Sequence, residues 1–206
     1  MKLKKYFDKI YCINLDRRKD RWEESDKEFQ KWGISEEIER YSAIDGSQLE
    51  NNYSINNGEL GILMTHFNLI TEAKKNNLKN ILIIEDDIEF TDEIKNIDKY
   101  MSLLPINWDM VYFGGNHNKH MGKKINLINE NVIKLEETYG IHCVAINESI
   151  YDLILNLLKY KQKPVDVYYS DIQKTYDCYG FNPSIALQRI SYSDIQNKVM
   201  DYKWLF

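Results

Sequence analysis

The stretch LKNILIIEDDIEF, residues 78–90, runs an aliphatic segment straight into three carboxylates. A near-continuous apolar run such as residues 81–84 is typical of a parallel central strand covered on both faces. Ending that strand on Glu85, Asp86 and Asp87 is costly, because like charges repel and a buried carboxylate needs a cation beside it. In open α/β sheets, ligands bind beyond the carboxyl ends of the strands, so the triplet stands where a ligand belongs. Alternate residues of an extended chain point the same way, so Glu85 and Asp87 are expected to converge while Asp86 faces elsewhere. Hard carboxylate oxygens suit Mg2+ or Mn2+, which typically shares a few protein ligands with substrate phosphates. The alternative is a strand end emerging into solvent, with one carboxylate capping the next turn.

Outward from this strand, apolar runs alternate with helical patterns, which is the α/β signature. KIYCINL (9–15) reads as a first strand. Trp22, Phe29 and Trp32 share a face of a helix over 19–32, with Gly33 as its C-cap. ERYSAIDG (39–46) reads as a short strand and turn. The next helix carries Leu60, Leu63, Phe67 and Ile70, with Asn57 as its expected N-cap. WDMVYFGG (108–115) and one or two runs in IKLEETYGIHCVAI supply further strands. A helix capped by Asn147 follows. Another is introduced by Pro164 and is expected to end near Gly180, and the remainder holds one short strand. The expectation is a single α/β domain over 1–206, Rossmann-type, with a mostly parallel central sheet flanked by helices.

Composition narrows the function. The 206 residues suffice for one sizeable core. A net charge of −5 offers no general attraction to nucleic acid or an anionic membrane. No run approaches the length of a membrane span, and the lysine-rich start is broken by Asp8, Lys9 and Asn14, unlike a signal peptide. Cys12, Cys143 and Cys178 lack metal-ligand spacing and read as buried free thiols. A cytoplasmic location is the expectation; oligomeric state is not readable.

A second polar cluster, NLDRRKDRW, follows the first strand and holds Asn14, Asp16, Arg17, Arg18 and Arg21. Cations near a helix N-terminus oppose its dipole, and an anionic ligand such as a diphosphate would remove that conflict, since guanidinium forks suit phosphate. Neutralisation of the arginines by neighbouring Asp and Glu on a solvated helix start explains the same residues.

The two clusters together bring a family into view. INLDRRKDR, SAIDG, GELGILMTH, ILIIEDDIEF, WDMVYFGG, PVDVYYSD and LQRISYSDIQ stand in the order of glycosyltransferase family 25, which the chain resembles from about residue 8 to 197. The family includes lipopolysaccharide and collagen galactosyltransferases. The resemblance implies a GT-A fold, a UDP-sugar donor, Mn2+ or Mg2+, and inversion at the anomeric carbon. Its nucleotide-binding half would span about 8–115 and its acceptor-side half about 116–206.

By that resemblance Asn14, Asp16 and Arg17, with Arg18 and Arg21, would line the nucleotide pocket, and Ala43, Asp45 and Gly46 would lie near base and ribose. Glu85, Asp86 and Asp87 would supply the metal site, Asp87 foremost, with His142 a conceivable further ligand or a core histidine. Glu59 and His66 match the family's Gly-Glu-x-Gly…Ser-His helix, with Thr65 in place of Ser and Ile62 in place of Cys; a hydrogen-bonded structural role is the alternative for His66. An inverting transfer needs a carboxylate to take the acceptor proton. Asp166 is the candidate, with Asp171 in reserve, although Asp166 also stands where a helix N-cap belongs. Gln188 and Arg189 would close over the donor.

The implied activity is transfer of galactose or glucose from a UDP-hexose to a hydroxyl on a glycan, a lipopolysaccharide core or a hydroxylysine. Two rivals stand beside it: a non-catalytic sugar-nucleotide binder, and a receiver-like Mg2+-binding signalling module, whose acid pair would follow the first strand instead.

Overall fold

The computed structural model describes residues 2–117, 125–196 and 198–201. The first apolar run forms β1 (Lys9–Leu15), and α1 (Lys19–Trp32) follows, closed by Gly33 at φ 67°. Next come β2 (Glu39–Ala43), α2 (Asn57–Lys75) and β3 (Asn80–Glu85). The first residue of α2 is Asn57, and the cap falls one position earlier. Asn56 accepts from the Glu59 N–H, and Glu59 reaches back to the Asn56 N–H, each at 2.9 Å. This reciprocal capping box satisfies two donors at once, which Asn57 could not do with Glu59 at that spacing.

The chain continues through β4 (Ile88–Phe90), α3 (Ile97–Ser102), β5 (Met110–Tyr112), β6 (Asn126–Leu127), β7 (Val132–Lys134) and β8 (Cys143–Asn147). Asn147 caps the 3-10 turn that leads into α4 (Tyr151–Leu158). Helix α5 (Val165–Gln173) stops well short of Gly180, which instead lies inside β9 (Cys178–Phe181). Pairing of β9 with β5 and β7 supplies backbone partners that outweigh continuation of the helix. Three short strands follow where one was expected: β10 (Ala186–Gln188), β11 (Ser191–Ser193) and β12 (Lys198–Met200).

Eight strands form one sheet in the order β2-β1-β3-β8-β5-β9-β7-β6, so the sheet runs unbroken through both expected halves. The sheet is mixed. Strands β2, β1 and β3 are parallel, as are β5 and β9, but β8 and β7 run against their neighbours. Because β8 runs antiparallel to β3, its entry residues 139–142 cross the carboxyl ends of the parallel strands.

Side chains alternate between two cores. Ile81, Ile83, Tyr11 and Ile13 face α2, α4 and α5, whereas Leu82, Ile84, Ile10 and Cys12 face α1 and α3. Both faces are covered, which explains why β3 reads as a continuous aliphatic run. Each fully buried Ile or Leu contributes about 1.5–3 kcal/mol, so the strand is anchored strongly just before its acidic end. The three cysteines are buried and free. Among the described residues no helix is long and apolar enough to cross a membrane.

Candidate active site

A cleft of about 880 Å³ opens at the carboxyl ends of β1, β2 and β3, closed opposite by residues 139–141 and the start of α5. Strand register brings its polar groups together: Ile13 pairs with Glu85, so Asn14 lies beside Asp86. The Asn14 amide donates to Asp86 at 2.6 Å and to the Arg18 carbonyl at 3.0 Å.

The cation beside the triplet is Arg21. Its Nη2 lies 2.5 Å from Asp86 Oδ1 and 2.9 Å from Asp87 Oδ2, with all three side chains almost buried. This corrects the expected alternation. The strand ends at Glu85 and residues 86–87 form a turn, so Asp86 and Asp87 converge on one guanidinium instead of diverging. Arg189 clamps that turn from behind. Its backbone N–H donates to the Asp87 carbonyl, and its guanidinium donates to the carbonyls of Asp86 and Ile88. Arg189 does not line the cleft, whereas Gln188 does, with Nε2 3.4 Å from Glu85 Oε2.

Burial raises the Glu85 carboxyl to about 8; Asp87 adds repulsion and Arg21 opposes it. Burial also raises Asp86, against the pull of Arg21 and of the Asn14 amide. Among the described residues no group of three or more His, Cys, Asp or Glu side chains could hold a metal ion. Asp87 Oδ1, however, is buried without a hydrogen-bond partner. An orphaned carboxylate oxygen is expensive, and with Glu85 it offers two hard ligands, the number typical of Mg2+ shared with phosphates. The donor set therefore fits a cation held jointly with a ligand's phosphates, but not an all-protein cage.

His142 is not brought into that set. It is fully buried outside the cleft lining, and Nε2 donates to the Ala186 carbonyl at 3.1 Å. Burial lowers its pKa. His66 is likewise buried off the cleft, with Nδ1 3.0 Å from the Tyr169 hydroxyl. Burial lowers it to about 3.

On the arginine side, Arg17 donates to Asp45 at 2.7 Å and to Asp194 at 2.8 Å. Arg18 pairs with Asp20 and Asp194 and does not line the cleft. Asp16 is exposed and held by Arg40 and Ser42 at 2.8 Å each, with Arg40 foremost in lowering its pKa. Arg40 also donates to Asn14 at 2.9 Å; the β1–β2 register, which sets Arg40 across from Cys12, was the missed signal for it.

Ala43, Asp45 and Gly46 all line the cleft. Gly46 is required by close approach, since a Cβ there would lie 1.7 Å from the Asn57 carbonyl oxygen. Thr65 braces the same turn by accepting from the Ile44 N–H at 2.9 Å. Glu59 lines the cleft as well.

Asp166 lines the opposite wall, at the second position of α5. Pro164, not Asp166, occupies the N-cap, because the chain is already helical at Val165. Burial raises the Asp166 carboxyl, while backbone N–H groups of Val167 and Gly140 oppose the shift. Asp171 projects away from the cleft into an exposed pair with Lys163 at 2.8 Å. Cleft residues that the sequence does not mark include Asn116, Tyr139 and residues 193–196, among which Asp194 bears charge. Asp194 stood within LQRISYSDIQ, but nothing in its spacing ties it to arginines some 170 positions earlier.

The cleft lies beyond the carboxyl ends of parallel strands, where ligands bind in α/β sheets, and is bordered by arginines at a helix start and by buried carboxylates. The model of glycosyltransferase family 25, described as a lipopolysaccharide biosynthesis protein family, matches residues 7–175, and the chain belongs to this family. A glycosyltransferase 25 family member of Drosophila melanogaster is 30% identical over 135 residues, 55% of this chain and 22% of that protein. Procollagen galactosyltransferase 2 of Mus musculus is 29% identical over 133 residues, 52% of this chain and 21% of that protein. The chain thus spans about a fifth of the length of these relatives. A solved glycosyltransferase involved in glycosylation of the PBCV-1 major capsid aligns with TM-score 0.40 at 9% identity, covering 72% of this chain and 65% of that one.

Proposed function

We propose that the protein is an inverting hexosyltransferase that moves galactose or glucose from a UDP-hexose to an acceptor hydroxyl on a glycan, a lipopolysaccharide or a hydroxylysine. The observation that carries this reading is the pairing of two walls across one cleft: Arg17, Arg21 and the acidic triplet on one side, Asp166 on the other. A diphosphate would lie on the arginine side, with base and ribose toward Ala43, Asp45 and Gly46. Asp166 would accept the proton of the acceptor hydroxyl as that oxygen bonds to the anomeric carbon. The bond from carbon to the diphosphate oxygen breaks, and UDP leaves with the electron pair. A carboxyl raised by burial is a stronger base near neutral pH. Glu85 and Asp87 would hold a Mn2+ or Mg2+ ion, which would supply Lewis-acid stabilisation of the leaving diphosphate.

The test is UDP release from a panel of UDP-sugars with candidate acceptors, with Mn2+ and then with chelator. Asp166→Asn is expected to lower turnover by roughly 10²–10⁴-fold, the usual worth of a general base, with UDP binding by calorimetry unchanged. Absence of UDP release or binding with every UDP-sugar, in the presence of candidate acceptors, would sink the transferase reading; UDP binding without turnover would leave a sugar-nucleotide binder.

A further inference from the structure

Seven carboxylates line the cleft (Asp45, Glu59, Glu85, Asp86, Asp87, Asp166 and Asp194) against two guanidinium groups, Arg17 and Arg21. Those few cations are already engaged. Arg17 is shared between Asp45 and Asp194. Arg18 grips Asp20 through one edge and Asp194 through Nη1. Arg21 Nη1 is 4.0 Å from the same Asp194 carboxylate and donates to the Tyr192 carbonyl at 3.2 Å. One aspartate thus draws on Arg17 and Arg18 of the loop after β1 and on Arg21 in the first turn of α1, and its side chain is only 21% exposed.

The segment bearing Asp194 is seated on the cleft rim. Ile195 packs so closely on the first turn of α2 that a Cβ on Gly58 would lie 3.1 Å from the Ile195 Cα. β11 and β12 pair as a hairpin around it, Ser191 opposite Met200. A carboxylate presents two oxygens to a guanidinium fork much as a phosphate does.

We propose that Asp194 is an internal competitor for the donor's diphosphate: its carboxylate occupies the cleft-lining Arg17, and an incoming diphosphate engages that guanidinium by exchange, releasing residues 191–196 from the rim. This rests on the sugar-nucleotide reading for the identity of the anion, though not for the exchange itself. It assigns the hairpin a gating role that neither the acidic triplet nor Asp166 provides.

Asp194→Asn keeps the side chain's shape and removes its charge. Pyrophosphate and UDP binding are measured by calorimetry in both proteins, alongside hydrogen exchange of residues 191–196. Expected are faster exchange in the unliganded variant, about tenfold tighter binding of both probes, and faster exchange of the wild-type segment when pyrophosphate is added. Equal or weaker binding by the variant overturns the proposal, as does binding of neither probe to either protein. Tighter pyrophosphate binding with no preference for UDP would keep the competitor and remove the sugar-nucleotide reading. UDP binding equal in both proteins would do the reverse.

Discussion

Asp86 and Asp87, on the sheet side of the cleft, are buried against the Arg21 guanidinium, whereas Asp166, on the α5 side, is raised by burial, a shift that the backbone N–H groups of Val167 and Gly140 oppose. Both walls take carboxylates out of water, but they offset the cost differently. A full positive charge at 2.5–2.9 Å steadies two acids at once, while backbone dipoles only moderate the upward shift of one. Glu85, which Arg21 opposes without direct contact, is pushed up to about 8. The sheet wall therefore sets three acidic groups beside one fixed cation. The α5 wall carries a single acid, raised by burial.

The largest expected effect comes from making the sheet wall resemble the α5 wall. Arg21→Met removes the cation and leaves Asp86 and Asp87 uncompensated, which should cost about 3–5 kcal/mol of stability in denaturant unfolding at neutral pH. Mn2+ that recovers part of that loss would mark the triplet as a cation site by a readout independent of turnover. A loss below about 1 kcal/mol would mean that water or protonation already relieves the burial, and the contrast between the walls would dissolve.

Beneath the α5 wall, polarity is buried neutral. His66 meets Tyr169 of α5 and has its pKa lowered to about 3 by burial alone. In the unfolded chain it titrates near 6.5. Between those values the unfolded state binds the extra proton, so stability rises with pH; the contribution is complete above 6.5 and is lost progressively as pH falls toward 3. The slope is at most about 1.4 kcal/mol per pH unit. His66→Asn, whose amide stands where Nδ1 does, should flatten unfolding free energy against pH across that window. An unchanged profile would show that the histidine is charged when folded.

The smallest effect tests whether position on α5 matters more than residue type. Asp171→Asn breaks an exposed pair with Lys163, worth roughly 0–1 kcal/mol, and thermal unfolding should barely move. If Asp171→Asn abolishes transfer while Asp166→Asn does not, the proton acceptor lies on the outer face of the helix and the two-wall comparison fails.

How far the sequence reaches can be judged element by element. β1 matches its apolar run residue for residue, and Gly33 ends α1, because burial period and backbone freedom are local properties. The cap of α2 slipped from Asn57 to Asn56 because adjacent asparagines are equivalent until Glu59 completes the box. The acidic triplet was located correctly at a strand end. Its internal geometry was not, because alternation holds only while the strand continues, and here it stops at Glu85. Asp171 and Asp166 look alike in PVDVYYSD, yet only Asp166 lines the cleft, since five positions along a helix turn a side chain to another face.

Sequence alone determined the class: alternating apolar periods demand an α/β sheet, and carboxylates after a buried run together with arginines after the first strand demand a charged site at its edge. Tertiary structure decided which charges meet. Arg21 reaches Asp86 and Asp87 because parallel pairing sets Ile13 opposite Glu85. Asp194 reaches Arg17 because a late hairpin folds back over the rim. His66 and His142 are in the core because helix and strand packing turned them there. Hydrophobic periodicity is written in neighbours along the chain, but an ion pair depends on neighbours in space.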